Sequence, residues 1–195
     1  MISNDVSRET FSRLQAYVDL LKKWQQKMNL VSRETIQDIW GRHIDDCTQL
    51  YPFLDSEKSI ADLGCGAGLP GVILSILGAK DIHLFEANKK KCVFLSTVKR
   101  ELGLSFTIHE GRIEEYHGPF FDIIISRALA DLSLLLTYAH PLLKEEGVCL
   151  FLKGEGIENE IIEARKEWGF QCQLKQSITS IGGRLVFLES IQRRS

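Results

Sequence analysis

The sequence has no Cys-x-x-Cys pair, and none of its five cysteines stands near histidines at the spacing that metal ligands need. A zinc-ribbon or finger protein is therefore excluded, no metal site is expected, and we expect reduced, mostly buried thiols at positions 47, 65, 92, 149 and 172. No apolar run reaches the roughly 18 residues that span a bilayer. The segment from Met1 to Arg8 has no apolar stretch typical of a signal peptide. We expect a cytoplasmic protein with no membrane partner.

Positive charge is also scarce, because the formal net charge is -2. That balance does not suit a protein that coats nucleic acid, so a polyanionic partner would have to meet a local basic patch. The four prolines form no linker, and only the segment from Asp55 to Lys58 looks like a join. We therefore expect an accessory element over residues 1–58 and a larger domain over residues 59–195, together forming one compact unit.

Apolar residues at steps of three and four predict two amphipathic helices before the join. The first covers Thr10 to Asn29, and the second begins after a Ser32 cap and ends before Pro52. From Ser59 onward short apolar runs alternate with helical patterns, which is typical of βαβ units. The predicted strands are Ile60–Leu63, Ile82–Phe85, Phe106–Ile108, Phe121–Ile125, Val148–Leu152, Gln171–Lys175 and Arg184–Ile191.

These strands predict an α/β fold with a doubly wound, Rossmann-like sheet of seven strands. Only a short segment separates the last two strands, too short for a crossover helix. The sheet should therefore be mostly parallel and closed by an antiparallel hairpin. That hairpin is what methyltransferases add to the doubly wound plan.

A glycine-rich turn from Asp62 to Gly71 follows the first predicted strand. Glycines allow positive φ angles and a close approach of ligand to backbone. The turn also matches the dinucleotide fingerprint Gly-x-Gly-x-x-Gly, which alone is weak evidence. Asp62, expected at the mouth of the turn, would repel a pyrophosphate and favour a cationic ligand such as S-adenosylmethionine. Glu86 ends the second strand, where an acid holds ribose hydroxyls in both ligand classes.

The residues after the fourth predicted strand narrow the chemistry. Ser126 to Leu129 lack the Asn/Asp-Pro-Pro-aromatic loop of many amine methyltransferases, and no cysteine is placed to attack a cytosine ring. Lys153 is the only evident base for a ribose hydroxyl. An acceptor with a free lone pair fits best. Arg127, at the ligand-binding edge of the sheet, is predicted to position cofactor or base.

Basic residues offer candidate RNA contacts. Lys89, Lys90 and Lys91 open a predicted helix, where its dipole disfavours cations, so they either face phosphate or form a solvated surface. His43 shares a helical face with Asp46, and a core histidine satisfied by that aspartate is the simpler interpretation.

In order along the chain, these motifs resemble the bacterial small-subunit ribosomal RNA guanine-N7 methyltransferases, the glucose-inhibited division protein B family. The resemblance covers nearly the whole chain. It rests on Trp24 with Asn29 and Leu30, Arg42 with His43 and Asp46, Asp62 to Gly71, Lys90 and Lys91 with Phe94 and Leu95, Arg112 with Glu114, Ser126 to Ala128, and Lys153 with Gly154. Cys47, where the family usually has serine, and Glu86, where aspartate is also common, are mild departures.

The resemblance implies methyl transfer from S-adenosylmethionine, leaving S-adenosylhomocysteine, to N7 of one guanine in the decoding region of 16S ribosomal RNA, free or in the small-subunit particle. It implies no stable protein partner. Together with the turn, it predicts cofactor contacts at Asp62, Gly64, Gly66, Gly68, Leu69, Glu86, Ile113, Glu114 and Arg127. RNA contacts are expected at Arg42, His43, Lys89, Lys90, Lys91 and Lys153.

Because N7 has an in-plane lone pair, no essential proton-transfer residue is expected. The alternatives are a methyltransferase acting on another RNA, a protein or a small molecule, and a nucleotide-binding module without chemistry.

Overall fold

The computed structural model describes residues 6–194. Part of the segment examined for a signal peptide lies outside this range. The strands are β1 Ser59–Leu63, β2 Asp81–Glu86, β3 Thr107–Glu110, β4 Phe121–Arg127, β5 Leu143–Lys153, β6 Trp168–Gln176 and β7 Arg184–Arg193. The α-helices are α1 Arg8–Gln25, α2 Asp46–Thr48, α3 Gly71–Leu77, α4 Lys89–Leu102, α5 Leu132–Ala139 and α6 Ile157–Ala164. Short 3-10 turns cover Thr35–Asp38, Tyr51–Phe53, Ile113–Glu115 and His140–Leu142, and Trp40–Asp45 is a π-helix.

The seven strands form one sheet in the order β3-β2-β1-β4-β5-β7-β6. Strands β1 to β5 pair in parallel, and β7 pairs antiparallel with both β5 and β6. The predicted fold class and closing hairpin are confirmed. The strand order reverses between β1 and β4, so a ligand crevice is expected at the carboxyl ends of these two strands.

Alternating side chains of the central strands cover the two faces of the sheet. Ile60 and Ile125 pack with α1, α3 and α4 on one face, whereas Ala61 and Ile124 pack with α5 and α6 on the other. A parallel strand buried on both faces explains why the sequence showed continuous apolar runs rather than alternation. Four of the five cysteines are buried and Cys172 is half-buried, and all are free thiols.

The first helix is integrated into the main core. Ser7 caps α1 by accepting a hydrogen bond from the Thr10 amide at 3.1 Å. Leu14 and Val18 are fully buried in the same hydrophobic cluster as Ile60 of β1. This shared core supports one compact unit, while the boundary at residue 58 stays a prediction.

The second predicted helix was wrong as a continuous α-helix. The Ser32 hydroxyl does accept from the Thr35 amide at 3.2 Å, but it caps a 3-10 turn. The chain then forms a π-helix over Trp40–Asp45 before the short α2. π-helical turns occur often at functional sites, and this one carries His43 toward β4. Apolar spacing could not show the change because a half-buried π-turn keeps a similar stripe of apolar residues.

Within residues 6–194, no helix is both long and apolar enough to cross a membrane. The same range holds no cluster of histidine, cysteine and acidic side chains arranged to bind a metal ion.

Candidate cofactor and acceptor cleft

The glycine-rich turn joins β1 to α3 at the reversal of strand order. Gly64, Gly66 and Gly68 have φ angles of 67°, 58° and 88°, a region that side chains disfavour. Gly64 and Gly66 line the cleft described below. Gly68 is not among the lining residues, and a Cβ there would lie 2.3 Å from Cγ2 of Val72. Its lack of a side chain lets α3 follow the turn closely, and its contact with the cofactor stays a prediction.

Asp62 lies behind the turn and not at its mouth. Its side chain is fully buried, and Oδ2 accepts a hydrogen bond from the Gly71 amide at 2.7 Å. Within the described residues Oδ1 has no hydrogen-bond partner. Burial raises the pKa of Asp62 to about 7, although the Gly71 amide and the Arg127 charge act in the opposite direction. A direct contact between Asp62 and a ligand was expected, but the buried carboxyl instead supports the glycine-rich turn through its hydrogen bond with the Gly71 amide.

A smaller pocket of about 330 Å³ lies beside the ends of β1 and β2. Its walls include Glu86, the 3-10 turn with Ile113 and Glu114, and Leu129. Glu86 accepts a hydrogen bond from the Asn88 amide through Oε1 at 2.7 Å. A carboxylate has about four acceptor positions, so Glu86 retains the capacity to hold further hydroxyl groups. Apolar walls next to this acid suit a nucleoside.

A larger pocket of about 510 Å³ lies on the other side of the turn. It is lined by Leu69 of the turn, by the π-helix, by Arg127, and by the loop between β6 and β7. Gly64 and Ala128 line both pockets, so the two adjoin at the carboxyl ends of β1 and β4, and we call them together the cleft. Ala128 has a φ of 55°, which is unusual for a residue with a side chain and marks a constrained turn next to the cleft.

Arg127 holds the π-helix to the end of β4. Its Nη2 donates to Nδ1 of His43 at 2.8 Å, and its Nη1 donates to the Arg42 carbonyl at 3.1 Å. Nη1 also lies 3.4 Å from Oδ2 of Asp46. Its predicted position in the cleft is observed, and the contacts show what orients it.

His43 is held as a neutral imidazole. Because a guanidinium only donates, Nδ1 of His43 must accept from Arg127, and Nε2 then donates to the Thr35 hydroxyl at 2.9 Å. Burial lowers the pKa of His43 to about 4, and the charges of Arg127 and Arg42 act in the same direction. The interpretation of a histidine satisfied by Asp46 is therefore wrong, since Arg127 and Thr35 are the partners.

Lys153 lines the larger pocket, but its ammonium group is paired with a carboxylate, and its contact with RNA stays a prediction. Its side chain is only 8% exposed, and Nζ lies 2.6 Å from Oε2 of Glu160. Nζ also donates to the Ala130 carbonyl at 2.7 Å, and Glu160 accepts from the Leu132 amide at 2.8 Å. Lys153 ends β5 and Glu160 lies in α6, so the pair joins the sheet to that helix. Lys153 thus fixes the loop after β4.

The three lysines at the start of α4 differ from one another. The Asn88 side chain accepts from the Lys90 and Lys91 amides at 3.0 and 3.3 Å, which offsets part of the unfavourable dipole interaction. Lys91 lines the smaller pocket. Lys89 and Lys90 are exposed, and Nζ of Lys89 lies 3.7 Å from Oε1 of Glu110. Arg42, exposed on the other side, lines the larger pocket.

The loop between β6 and β7 was not foreseen as part of the cleft. Thr179 donates its hydroxyl hydrogen to Oδ1 of Asp46 at 2.6 Å, and the Ile178 amide donates to Oε1 of Gln49 at 3.1 Å. These contacts join residues about 130 positions apart. The only signal in the sequence was a short run rich in serine, threonine and glycine, which by itself indicates a turn.

Solved structures share this architecture. The magnesium protoporphyrin IX methyltransferase of Synechocystis PCC 6803, solved with bound S-adenosylmethionine, aligns with a TM-score of 0.63 at 13% identity and covers 95% of this chain and 98% of that chain. TYW2 of M. jannaschii, in complex with the same compound, aligns with a TM-score of 0.61 at 15% identity and covers 78% and 76%. The fold is that of the Rossmann-like methyltransferases.

Sequence comparison narrows this class to one family. A family model described as rRNA small subunit methyltransferase G matches residues 10–188, and the chain belongs to this family. The ribosomal RNA small subunit methyltransferase G of Paramagnetospirillum magneticum is 42% identical over 194 residues, which cover 99% of this chain and 95% of the relative. That of Gluconobacter oxydans is 43% identical over 188 residues, covering 96% and 97%.

Proposed function

We propose that this chain transfers a methyl group from S-adenosylmethionine to N7 of a guanine in 16S ribosomal RNA, in the decoding region of the small subunit. Membership of the methyltransferase G family carries the proposal. The cleft at the carboxyl ends of β1 and β4 supports it, because the smaller pocket suits a nucleoside and the larger pocket leaves room for an acceptor base.

The residues of the smaller pocket fit the adenosine part of the cofactor. Glu86 would accept hydrogen bonds from ribose hydroxyls, while Ile113 and Leu129 would contact the adenine ring. Glu114 and Lys91 would border it. Gly64 and Gly66 would let the methionine part pass close to the backbone of the turn. When bound, S-adenosylmethionine supplies an electrophilic methyl group on a sulfonium.

The acceptor side supports a reaction without a general base. His43 accepts from Arg127 and is neutral, and Lys153 is paired with Glu160, so neither is free to take a proton. N7 of guanine has a lone pair and no proton to lose. The residues here therefore need to align the acceptor in line at about 3 Å and exclude water. Arg127, oriented by Asp46 and His43, would position the base.

Exposed basic side chains on both sides of the cleft would bind phosphates of the RNA. These are Arg42 at the larger pocket and Lys89 and Lys90 at the start of α4. Such contacts fix the register of the RNA and depend strongly on salt.

The experiment is a transfer assay with radiolabelled S-adenosylmethionine and three acceptors: small-subunit particles from cells that lack this gene, protein-free 16S RNA, and a small-molecule extract. We expect label in the RNA of particles or in the free RNA. Label confined to small molecules, or no label in any acceptor, would contradict the proposal. A Glu86→Gln variant serves as the matched control for cofactor-dependent labelling.

A further inference from the structure

Two isoleucines at the tip of the loop between β6 and β7 are unusually exposed. Ile178 and Ile181 are 76% and 96% exposed, the highest values among the large apolar residues of the described range. We call this pair the apolar tip. Isolated exposed apolar residues are common, but two within four positions on one loop require a reason.

Hydrogen bonds and close packing hold the loop that carries the apolar tip. Nε2 of Gln176 donates to the Ser180 and Ile181 carbonyls at 2.9 and 2.8 Å, and Nη1 of Arg184 donates to the Ile181 carbonyl at 3.1 Å. A Cβ on Gly182 would lie 2.1 Å from Cγ of Glu155, so the loop also packs closely against the connection after β5. The isoleucines are therefore presented on a fixed backbone.

The same loop forms one wall of the larger pocket. Ser177, Thr179, Ser180 and Gly183 line that pocket, whereas Ile178 and Ile181 do not. The loop thus turns its polar residues toward the cleft and its apolar tip toward the solvent beside the cleft. The tip therefore lies next to a wall of the pocket in which an acceptor base would sit.

An enzyme does not easily reach N7 of a guanine that is stacked and paired in an RNA helix. The edge that carries N7 faces the deep, narrow major groove of an A-form helix, which side chains do not enter. Enzymes that act on bases extrude the target nucleotide, and unstacking costs a few kcal/mol. Proteins that kink DNA often insert apolar side chains between neighbouring bases and so stabilise the unstacked arrangement.

We propose that the apolar tip is a wedge that contacts the RNA bases next to the target and stabilises the unstacked arrangement while the guanine occupies the larger pocket. This inference rests on the proposed function. The apolar tip would act on the conformation of the RNA. It would not affect cofactor binding, because no residue of the loop lines the smaller pocket.

The test is the double variant Ile178→Ser with Ile181→Ser, assayed on small-subunit particles or free 16S RNA, whichever the wild type methylates. We expect kcat/KM to fall about tenfold or more, because the two serines remove the apolar surface that would pack against the bases; a tenfold change corresponds to about 1.4 kcal/mol. The single-turnover rate at saturating RNA should fall as well. S-adenosylmethionine affinity and melting temperature should match those of the wild type, and Ile178→Leu with Ile181→Leu should retain activity.

Phe120→Ser is the matched control. Phe120 is 59% exposed but precedes β4, at the opposite edge of the sheet from the cleft. Its replacement should leave transfer to RNA unchanged. The wedge is refuted if kcat/KM of the double serine variant stays within about twofold of the wild-type value. It is also refuted if only KM rises while the single-turnover rate is unchanged. In both cases the proposed function stands. If the wild type transfers no methyl group to RNA, both fall.

A crosslink identifies what the tip touches. With Ile181 replaced by the photoreactive amino acid p-benzoylphenylalanine, irradiation in the presence of particles should join the protein to ribosomal RNA next to the methylated guanine. A crosslink only to a ribosomal protein would mean that the tip docks on protein, and that result or the absence of any crosslink would overturn the inference.

Discussion

Replacing Asp62 with asparagine should change how the stability of the protein depends on pH. The carboxyl is fully buried, one oxygen accepts from the Gly71 amide, and burial raises its pKa to about 7. An asparagine keeps the acceptor for Gly71 but cannot ionise. Its amide nitrogen would occupy the place of the unpartnered Oδ1, a cost of about 1–3 kcal/mol that does not depend on pH.

The size of the effect follows from linkage. In the unfolded chain an aspartate titrates near 3.9, so between about pH 4 and pH 7 the folded wild type binds more protons than the unfolded chain. Its free energy of unfolding therefore falls as pH rises through that window. From pH 5 to pH 8 the free energy of unfolding falls by about 3 kcal/mol. Each pH unit between pH 5 and the pKa of about 7 contributes about 1.4 kcal/mol, and little is lost above it. The asparagine variant lacks this loss.

The assay is urea unfolding of wild type and Asp62→Asn at pH 5, 6, 7 and 8 without ligand. Groups common to both chains cancel in the difference. The free energy of unfolding of the variant minus that of the wild type should increase by about 3 kcal/mol from pH 5 to pH 8 and level off above pH 7. A difference independent of pH would refute the argument that Asp62 is desolvated beneath the turn.

Further predictions concern the cleft and its supports. Glu86→Gln should weaken binding of S-adenosylmethionine roughly 10- to 100-fold in calorimetry, because charged hydrogen bonds contribute about 1.5–3 kcal/mol; unchanged affinity would remove Glu86 from the site. Tyr17 donates its hydroxyl hydrogen to the Ala67 carbonyl in the glycine-rich turn at 2.8 Å, so Tyr17→Phe should lower the free energy of unfolding by about 1 kcal/mol, and no change in urea unfolding would contradict this. The ring resonances of His43 should stay constant in NMR between pH 5.5 and 8, because its pKa is lowered to about 4, and Arg127→Gln should raise that pKa; an inflection near 6.5 in the wild type would contradict the contact.

Much of the sheet could be predicted from the sequence because its signals are local. The apolar runs of β1 and β4 and the glycines after β1 give the strands and the turn without long-range information. The closing hairpin followed from the short connection between β6 and β7. The prediction of one continuous α-helix after residue 32 was wrong, because apolar spacing does not distinguish a π-helical turn from an α-helix.

The candidate site could be predicted only in outline. Glu86 and Arg127 were placed at the correct edge because strand ends determine where they lie. The surroundings of Asp62 and Lys153 could not be predicted from the sequence. Burial of the aspartate and pairing of the lysine with Glu160 depend on elements that are distant along the chain. The same holds for Thr179, whose contact with Asp46 brings the hairpin loop to the cleft.

The identity of the methylated nucleoside tests the proposed transfer to guanine N7 most directly. Small-subunit particles or 16S RNA labelled by this protein from S-adenosylmethionine are digested to nucleosides, and the label is compared with standards by chromatography and mass spectrometry. We expect 7-methylguanosine, and borohydride and aniline treatment should cleave the RNA at one position in the decoding region. Label in another methylated guanosine, in a ribose-methylated nucleoside or in a different base would contradict it.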